Sequence, residues 1–191
     1  MTDGLSELTQ IEDESGVKME GALSALDDNF RTVRTGRASP SALDNVHVSA
    51  YGSDMPLNQV ANVSTPDART IVISPWDKGQ LSAIERAIIA ANLGFNPSND
   101  GVVIRISVPP LTEERRKEFV KQAHKMAEEA RIAIRHVRKH ANDNIKRLEK
   151  DHGVPEDIGR QAHDRIQKLT DEYIAKVDEK MKKKEKEIME V

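Results

Sequence analysis

The sequence predicts an α+β fold in which a long three-helix bundle carries a small β/α/β domain inserted between its first and second helices. Three long segments repeat apolar residues at intervals of three and four, which places those residues along one face of each helix. None of the three is hydrophobic on all sides, so each must bury its apolar face against the other two. Between the first two segments, frequent Gly and Pro residues separate short apolar runs that are typical of strands.

The first helix is predicted over residues 1 to about 34. Gly4 and Gly16 predict a frayed or irregular beginning, because glycine weakens a helix. The apolar residues that follow are spaced by four, three, four and three positions: Met19, Leu23, Leu26, Phe30 and Val33.

The inserted domain is predicted over residues 36–108. Its helix should cover residues 78–93, with Asp77 as the N-cap and Gly94 as the C-cap. Asp100 and Gly101 should turn the chain into the last strand. The candidate strands are residues 46–51, 59–64, 70–74 and 102–108.

The second long helix should run from residue 111 to residue 151 and the third from Pro155 towards the C-terminus. Thr112 can cap the second helix, and two carboxylates follow it in the first turn. Gly153 suits a helix C-cap and Pro155 suits a first helical position. The bundle domain is therefore predicted to comprise residues 1–35 and 109–191.

Two short connections join the bundle to the inserted domain, near residues 34–41 and 108–112. Gly36 lies in the first, and Pro109 and Pro110 stiffen the second. So few residues cannot fix the orientation of two separately packed bodies, and the sequence therefore predicts a hinge.

Positive charge is concentrated in the second helix, although the formal net charge of the chain is only -3. Between residues 131 and 147, Asp143 is the only carboxylate. We expect the cations of this segment to form a ridge that faces solvent and binds a polyanion. If that partner is RNA, the few aromatic residues favour recognition through phosphates and shape. The cations are Arg131, Arg135, Arg138, Lys139, Lys146 and Arg147.

Local pairing with carboxylates explains this ridge poorly. The positions three and four away from Arg135 hold Ile132, Arg131, Arg138 and Lys139, which are neutral or repel it. A charge pattern that opposes local helix stability is better explained by an anionic partner.

Other chemical classes are excluded by missing residues or motifs. The chain has no cysteine, which excludes disulfides and thiolate catalysis. It also contains no GxxxxGK[ST], GxGxxG or GxSxG motif. His136 and His140 have metal-ligand spacing but lie among cations, without the glutamate of HExxH. We therefore expect no enzyme activity, metal or cofactor, and the absence of a signal or membrane segment favours the cytoplasm.

Four motifs together resemble the bacterial ribosome recycling factor (ribosome-releasing factor) family. They are RTGRASPS at residues 34–41, PPLTEERRKEF at 109–119, ARIAIRHVRKHAND at 130–143, and QKLTD at 167–171 with the KEKE ending. The resemblance covers nearly the whole chain and implies an L-shaped, tRNA-like molecule. This agrees with the bundle and inserted domain described above.

The resemblance also implies a function and a set of partners. A member of this family binds the post-termination ribosome and, with elongation factor G and GTP, splits it into subunits and releases mRNA and tRNA. By resemblance the bundle binds large-subunit rRNA, and Arg138, Arg135 and Arg131 match family arginines. Arg34, Arg37 and Arg116 match basic residues beside the hinge. The acidic segment before about Ser15, His136 and His140 depart from the family pattern.

The alternative is a coiled-coil interaction protein, such as a cytosolic adaptor or chaperone, whose basic ridge meets an acidic protein. Such a protein should sediment away from ribosomes, and its binding should survive nuclease treatment. The family resemblance instead favours a monomer that binds ribosomes.

Overall fold

A computed structural model describes residues 2–151 and 153–190 of the chain. Residues 1, 152 and 191, which the predicted bundle domain includes, lie outside the described residues. The four helices are α1 (Thr2–Thr32), α2 (Leu81–Ala90), α3 (Glu113–Asp151) and α4 (Glu156–Met189). The six strands are β1 (His47–Ala50), β2 (Ser53–Pro56), β3 (Ala61–Asp67), β4 (Thr70–Pro75), β5 (Pro97–Asn99) and β6 (Ile104–Ser107). The α+β prediction is confirmed.

Backbone contacts divide the described residues into two compact units. The bundle unit comprises residues 2–35 together with Glu113–Glu190, and the inserted unit comprises Gly36–Thr112. None of the described helices combines the length and the apolar character that a membrane crossing requires.

The bundle unit consists of α1, α3 and α4, which contact one another in all three pairs. Its core continues along the helices in two clusters. One contains Met19, Leu26 and Ile134, and the other contains Ile145 and Ile166. Because the apolar residues of each helix recur at intervals of three and four, every turn contributes to this core.

The beginning of α1 is continuous, so the expected irregularity at Gly4 and Gly16 is wrong. Gly4 is buried, and a Cβ atom there would lie 2.8 Å from Val154 Cγ2. The missing side chain lets the helix approach Val154 closely, and this packing outweighs the weak helix propensity of glycine. Leu8 is buried beside Val154 in the same cluster, and Glu12 accepts a hydrogen bond from Arg165 at 2.7 Å. The acidic N-terminal segment is thus part of the bundle.

The turn between α3 and α4 contains Gly153, predicted as a helix C-cap, and Pro155, predicted as a first helical position. Gly153 has a φ of +62°, a left-handed conformation that suits glycine after a helix. Pro155 lies one position before the first residue of α4 and not at the first helical position. Its carbonyl accepts hydrogen bonds from Ile158 and Gly159.

The inserted unit contains a four-stranded antiparallel sheet in the order β3-β4-β6-β5 and a separate β1-β2 hairpin. Ile71 pairs with Ile106 and Ile73 with Ile104, and all four side chains are fully buried. The helix α2 buries Ile84 and Ile88 in the same core and contacts β1 and β5. Trp76, the only tryptophan of the chain, remains 68% exposed.

Two strands of this unit were not predicted, and the helix is shorter than expected. The strands β2 and β5 are short, largely polar and contain proline, so they lack the apolar alternation that identifies a strand. Residues 78–80 form a 3₁₀ turn before α2, and Asp77 caps it by accepting a hydrogen bond from the Gly79 N–H at 2.9 Å. The turn at Asp100 is confirmed, because its side chain accepts hydrogen bonds from the N–H groups of Val102 and Val103.

Candidate nucleic-acid interface

The bundle helix α3 buries one side and exposes a cationic side. Its buried residues are mostly small near the middle, where Ala123, Ala127 and Ala130 allow the other helices to approach. Its 39 residues span about 58 Å at 1.5 Å per residue. We call the exposed side that carries Arg135, Arg138, Lys139 and Lys146 the basic face. Arg147 points away from it and lines a second depression with Glu7 and Glu14 of α1.

Arg131 lies beside the basic face but is held inside the bundle. Its Nε and Nη2 atoms donate hydrogen bonds to Asp178 Oδ1 on α4 at 2.9 and 2.6 Å. Its side chain is only 19% exposed, so the expectation that Arg131 faces solvent is wrong for most of the side chain. Burial by itself lowers the pKa of Arg131, but the hydrogen bonds to Asp178 and Glu128 outweigh it and raise that pKa.

Glu128 pairs with two of the arginines. Its Oε1 accepts a hydrogen bond from Arg135 at 2.9 Å, and its Oε2 accepts one from Arg131 at 3.0 Å. These hydrogen bonds, first that from Arg135 and then that from Arg131, lower the pKa of Glu128. The expectation that local pairing explains the ridge poorly is therefore wrong for Arg131 and Arg135, because Glu128 reaches Arg135 from seven residues away on the same helix. Arg135 nevertheless remains 46% exposed.

Arg138 is partly covered and faces α4. Its Nη1 donates a hydrogen bond to Gln167 Oε1 at 3.2 Å. The amide of Gln167 in turn donates to Asp171 at 2.8 Å. A neutral amide therefore leaves the charge of Arg138 less compensated than the charges of Arg131 and Arg135.

Lys139, Lys146 and Arg147 are exposed and make no hydrogen bond or ion pair with any residue that the structure describes. Lys139 and Lys146, together with their neighbours, border a shallow, open depression of about 520 Å³. The depression is lined by Ile132, Arg135, His136, Arg138, Lys139, Asn142, Asp143 and Lys146. Because four cations and a single carboxylate line it, this surface attracts anions.

Replacing Arg131 by alanine is expected to lower the free energy of unfolding by about 1 kcal/mol, because Asp178 loses its partner. The salt dependence of RNA binding should stay unchanged, since Arg131 is already paired. Urea unfolding of Arg131→Ala, Asp178→Ala and the double variant measures their coupling, and the two single effects should not add. A smaller salt dependence for Arg131→Ala would instead identify a direct phosphate contact.

The two connections meet inside the inserted unit at Gly36 and Leu111. Gly36 has a φ of +76°, and a Cβ atom there would lie 3.0 Å from Leu111 Cγ. Only glycine fits this conformation without strain. Pro109 and Pro110 are exposed just before Leu111.

The basic residues near the connections differ in their surroundings. Arg34 is exposed and has no hydrogen bond or ion pair to the described part of the chain. Arg37 is exposed as well. Arg116 is partly buried, and its Nη1 donates a hydrogen bond to the carbonyl of Met189 at 3.2 Å. This contact places a cation at the C-terminal end of α4, where the helix dipole favours it.

The histidines of α3 show no metal-ligand cluster. His140 Nδ1 lies 3.2 Å from the amide nitrogen of Asn144. No group of three or more His, Cys, Asp or Glu residues suited to a metal ion occurs within residues 2–151 and 153–190.

Sequence reasoning overlooked three residues of this surface. Glu128 could have been found, because it lies three residues before Arg131 on the same helix. Asp178 gives no local signal, since it is 47 residues from Arg131 in the chain. Ile132 could also have been noticed, because it is an apolar residue that lies among cations on the side of the helix opposite its buried face.

The chain matches the family model described as "Ribosome recycling factor" over residues 26–189, a range that includes every candidate site residue. A curated relative named ribosome-recycling factor, from Oleidesulfovibrio alaskensis, is 52% identical over 178 residues. That match covers 93% of this chain and 97% of the relative.

Two solved structures are also similar to this chain. One, described as the solution structure of the ribosome recycling factor, is 43% identical with a TM-score of 0.75, and the match covers 97% of this chain and 98% of the other. The second describes models for the T. thermophilus ribosome recycling factor and the E. coli elongation factor G bound to the E. coli post-termination complex. That chain is 46% identical with a TM-score of 0.64, and the match covers 95% of this chain and 98% of the other. Since sequence and fold agree over nearly the full length, the chain belongs to the ribosome recycling factor family.

Proposed function

We propose that this chain binds the post-termination ribosome and, with elongation factor G and GTP, splits it into subunits so that mRNA and tRNA are released. Membership of the ribosome recycling factor family supports the general role. The similar T. thermophilus factor, described with elongation factor G and a post-termination complex, supports these partners.

The observation that carries the proposal is the presence of cations without partners on the basic face. Lys139 and Lys146 are exposed and have no counter-ion among the described residues, so both are available to an external anion. Phosphates of large-subunit rRNA are the proposed anion, because phosphate contacts dominate affinity for nucleic acids. A helix about 58 Å long holds these cations at fixed positions along such a backbone.

In the proposed mechanism the GTPase supplies the free energy of GTP hydrolysis, and this chain supplies the rigid bundle and the domain that moves. The chain itself would catalyse no reaction, take no cofactor and act as a monomer in the cytoplasm. The inserted domain, proposed as residues 36–108, would pivot on the two connections while the bundle holds the ribosome. The division of backbone contacts at Gly36 and Glu113 supports this assignment.

Sedimentation of post-termination ribosomes tests the proposal directly. Ribosomes are mixed with this chain, with elongation factor G and GTP, or with all three, and separated on a sucrose gradient. Free subunits should accumulate only with the complete mixture. Binding without splitting would contradict the recycling role. Sedimentation of the chain away from ribosomes, with partner binding that survives nuclease, would favour the adaptor alternative.

Linking the two units covalently is expected to abolish splitting while ribosome binding persists, because the inserted domain could no longer pivot. The chain has no cysteine of its own, so one cysteine placed at an exposed position in each unit can be joined with a bis-maleimide. The two single-cysteine variants, treated with the same reagent, are the matched controls. Undiminished splitting by the linked protein would refute the pivot.

A further inference from the structure

One apolar side chain lies within the basic face. Ile132 is 45% exposed and lines the depression that the cations border. It contributes nothing to the described core clusters of the bundle. An isoleucine also has a lower helix propensity than alanine, so local helix stability does not explain it.

His136 lies one helical turn after Ile132 and lines the same depression. Residues spaced by four positions on a helix have Cβ atoms about 5–6 Å apart, so the two side chains are neighbours. His136 is exposed and makes no hydrogen bond or ion pair with the residues that the structure describes. Its imidazole therefore offers an unoccupied ring face beside an aliphatic side chain.

Cations flank this pair on the same surface. Arg135 precedes His136 directly, and Lys139 follows it three positions later on the same exposed side. Phosphate groups bound to these cations would lie next to a planar, partly apolar group placed over Ile132 and His136. That combination of a flat ring and flanking phosphates is the chemistry of a nucleotide in a single-stranded RNA segment.

We propose that Ile132 and His136 form a seat for one unpaired nucleobase of rRNA. The proposal rests on the proposed function, because it requires that the basic face binds RNA. Stacking on histidine and packing on an aliphatic side chain tolerate any base, since every base has a π face. The contact thus adds an apolar component to binding that phosphate contacts alone do not supply.

An acidic protein is the weaker candidate for this surface. Protein interfaces bury a cluster of apolar anchors at their centre. Ile132 is the only exposed large aliphatic residue that lines this depression. One aliphatic side chain beside an imidazole suits a single ring better than it suits an apolar protein patch.

The first test compares affinities of Ile132→Ala and His136→Ala for purified bacterial large ribosomal subunits over a range of salt concentrations. Each change should weaken binding by about tenfold. The slope of log affinity against log salt should not change, because no cation is removed. Lys139→Ala should instead reduce that slope by about one unit.

Two matched controls distinguish the loss of a nucleobase contact from a change in the folding of the chain. Ile132→Met retains an apolar side chain and should bind nearly as well as the parent. Val17→Ala removes a β-branched residue that is 73% exposed on α1 and should leave affinity unchanged. Thermal unfolding of Ile132→Ala should match that of the parent, since alanine is the better helix former.

Chemical probing of the bound rRNA identifies the partner. With the parent chain, one unpaired base should be protected from dimethyl sulfate, or from a carbodiimide if that base is uracil or guanine. Ile132→Ala should leave the same base reactive at saturating concentration. Unchanged affinity of both alanine variants, or lost affinity without any base becoming reactive, would overturn the seat while phosphate binding stands. Failure of the parent chain to bind large subunits would overturn the proposed function and the seat together.

Discussion

Replacing Lys139, Lys146 and Arg147 together by alanine should weaken binding to the large ribosomal subunit by roughly 100- to 1,000-fold at moderate salt. Lys139 and Lys146 lie on the basic face and Arg147 lies nearer to α1. None of the three has a counter-ion among the described residues. If each meets one phosphate, the slope of log affinity against log salt should fall by about two to three units. Alanine favours helix, so α3 should remain folded.

The matched control removes the same charge from another helix. Lys182, Lys183 and Lys186 are exposed on α4 and also have no counter-ion within the described residues. Replacing these three by alanine should change affinity and salt slope only slightly, because they lie outside the basic face. Equal losses for both triple variants would mean that the ribosome senses net charge and not a specific surface.

Replacing Gly36 by alanine should lower the free energy of unfolding of the inserted unit by about 2–3 kcal/mol. A φ of +76° costs an L-residue about 1 kcal/mol or more. The new Cβ atom would also lie 3.0 Å from Leu111 Cγ, and relieving that crowding costs a further 1–2 kcal/mol, about the cost of overpacking.

Gly94 supplies the control for this substitution. Its φ is +74°, and a Cβ atom there would have no heavy atom within 4 Å. Gly94→Ala should therefore cost only the conformational part, about 1 kcal/mol. Urea unfolding measures both variants, and Leu111→Ala combined with Gly36→Ala should recover part of the loss. Equal losses of unfolding free energy for the two variants would show that the Leu111 side chain moves aside without a measurable energetic cost.

The bundle was predictable because the spacing of apolar residues by three and four positions repeats many times along its helices. Apolar spacing continues through most of α1, α3 and α4, so a single glycine such as Gly16 cannot obscure it. The predicted irregularity at Gly4 is wrong because close packing against Val154 outweighs the low helix propensity of glycine there. In the inserted unit, β2 and β5 have only four and three residues. Strands this short depend on pairing partners distant in sequence.

The basic face was predictable as a concentration of charge but not as a set of available cations. Which arginines are already paired depends on Asp178, and only the folded bundle brings that residue to Arg131. Gln167, which is 29 residues from Arg138 in the chain, holds that arginine with a neutral amide and leaves its charge less compensated. Sequence spacing identifies the side of a helix, whereas the neighbouring helix determines which charges remain for a partner.

Trp76 and the long helices give the two units separate spectroscopic signals. The only tryptophan lies in the inserted unit, whose helix α2 has 10 residues, whereas α1, α3 and α4 of the bundle unit have 31, 39 and 34. Tryptophan emission therefore reports the melting of the inserted unit, and far-UV circular dichroism reports chiefly that of the bundle. Coincident transitions would mean that the units unfold as one cooperative system, and separate transitions would mean that each folds independently.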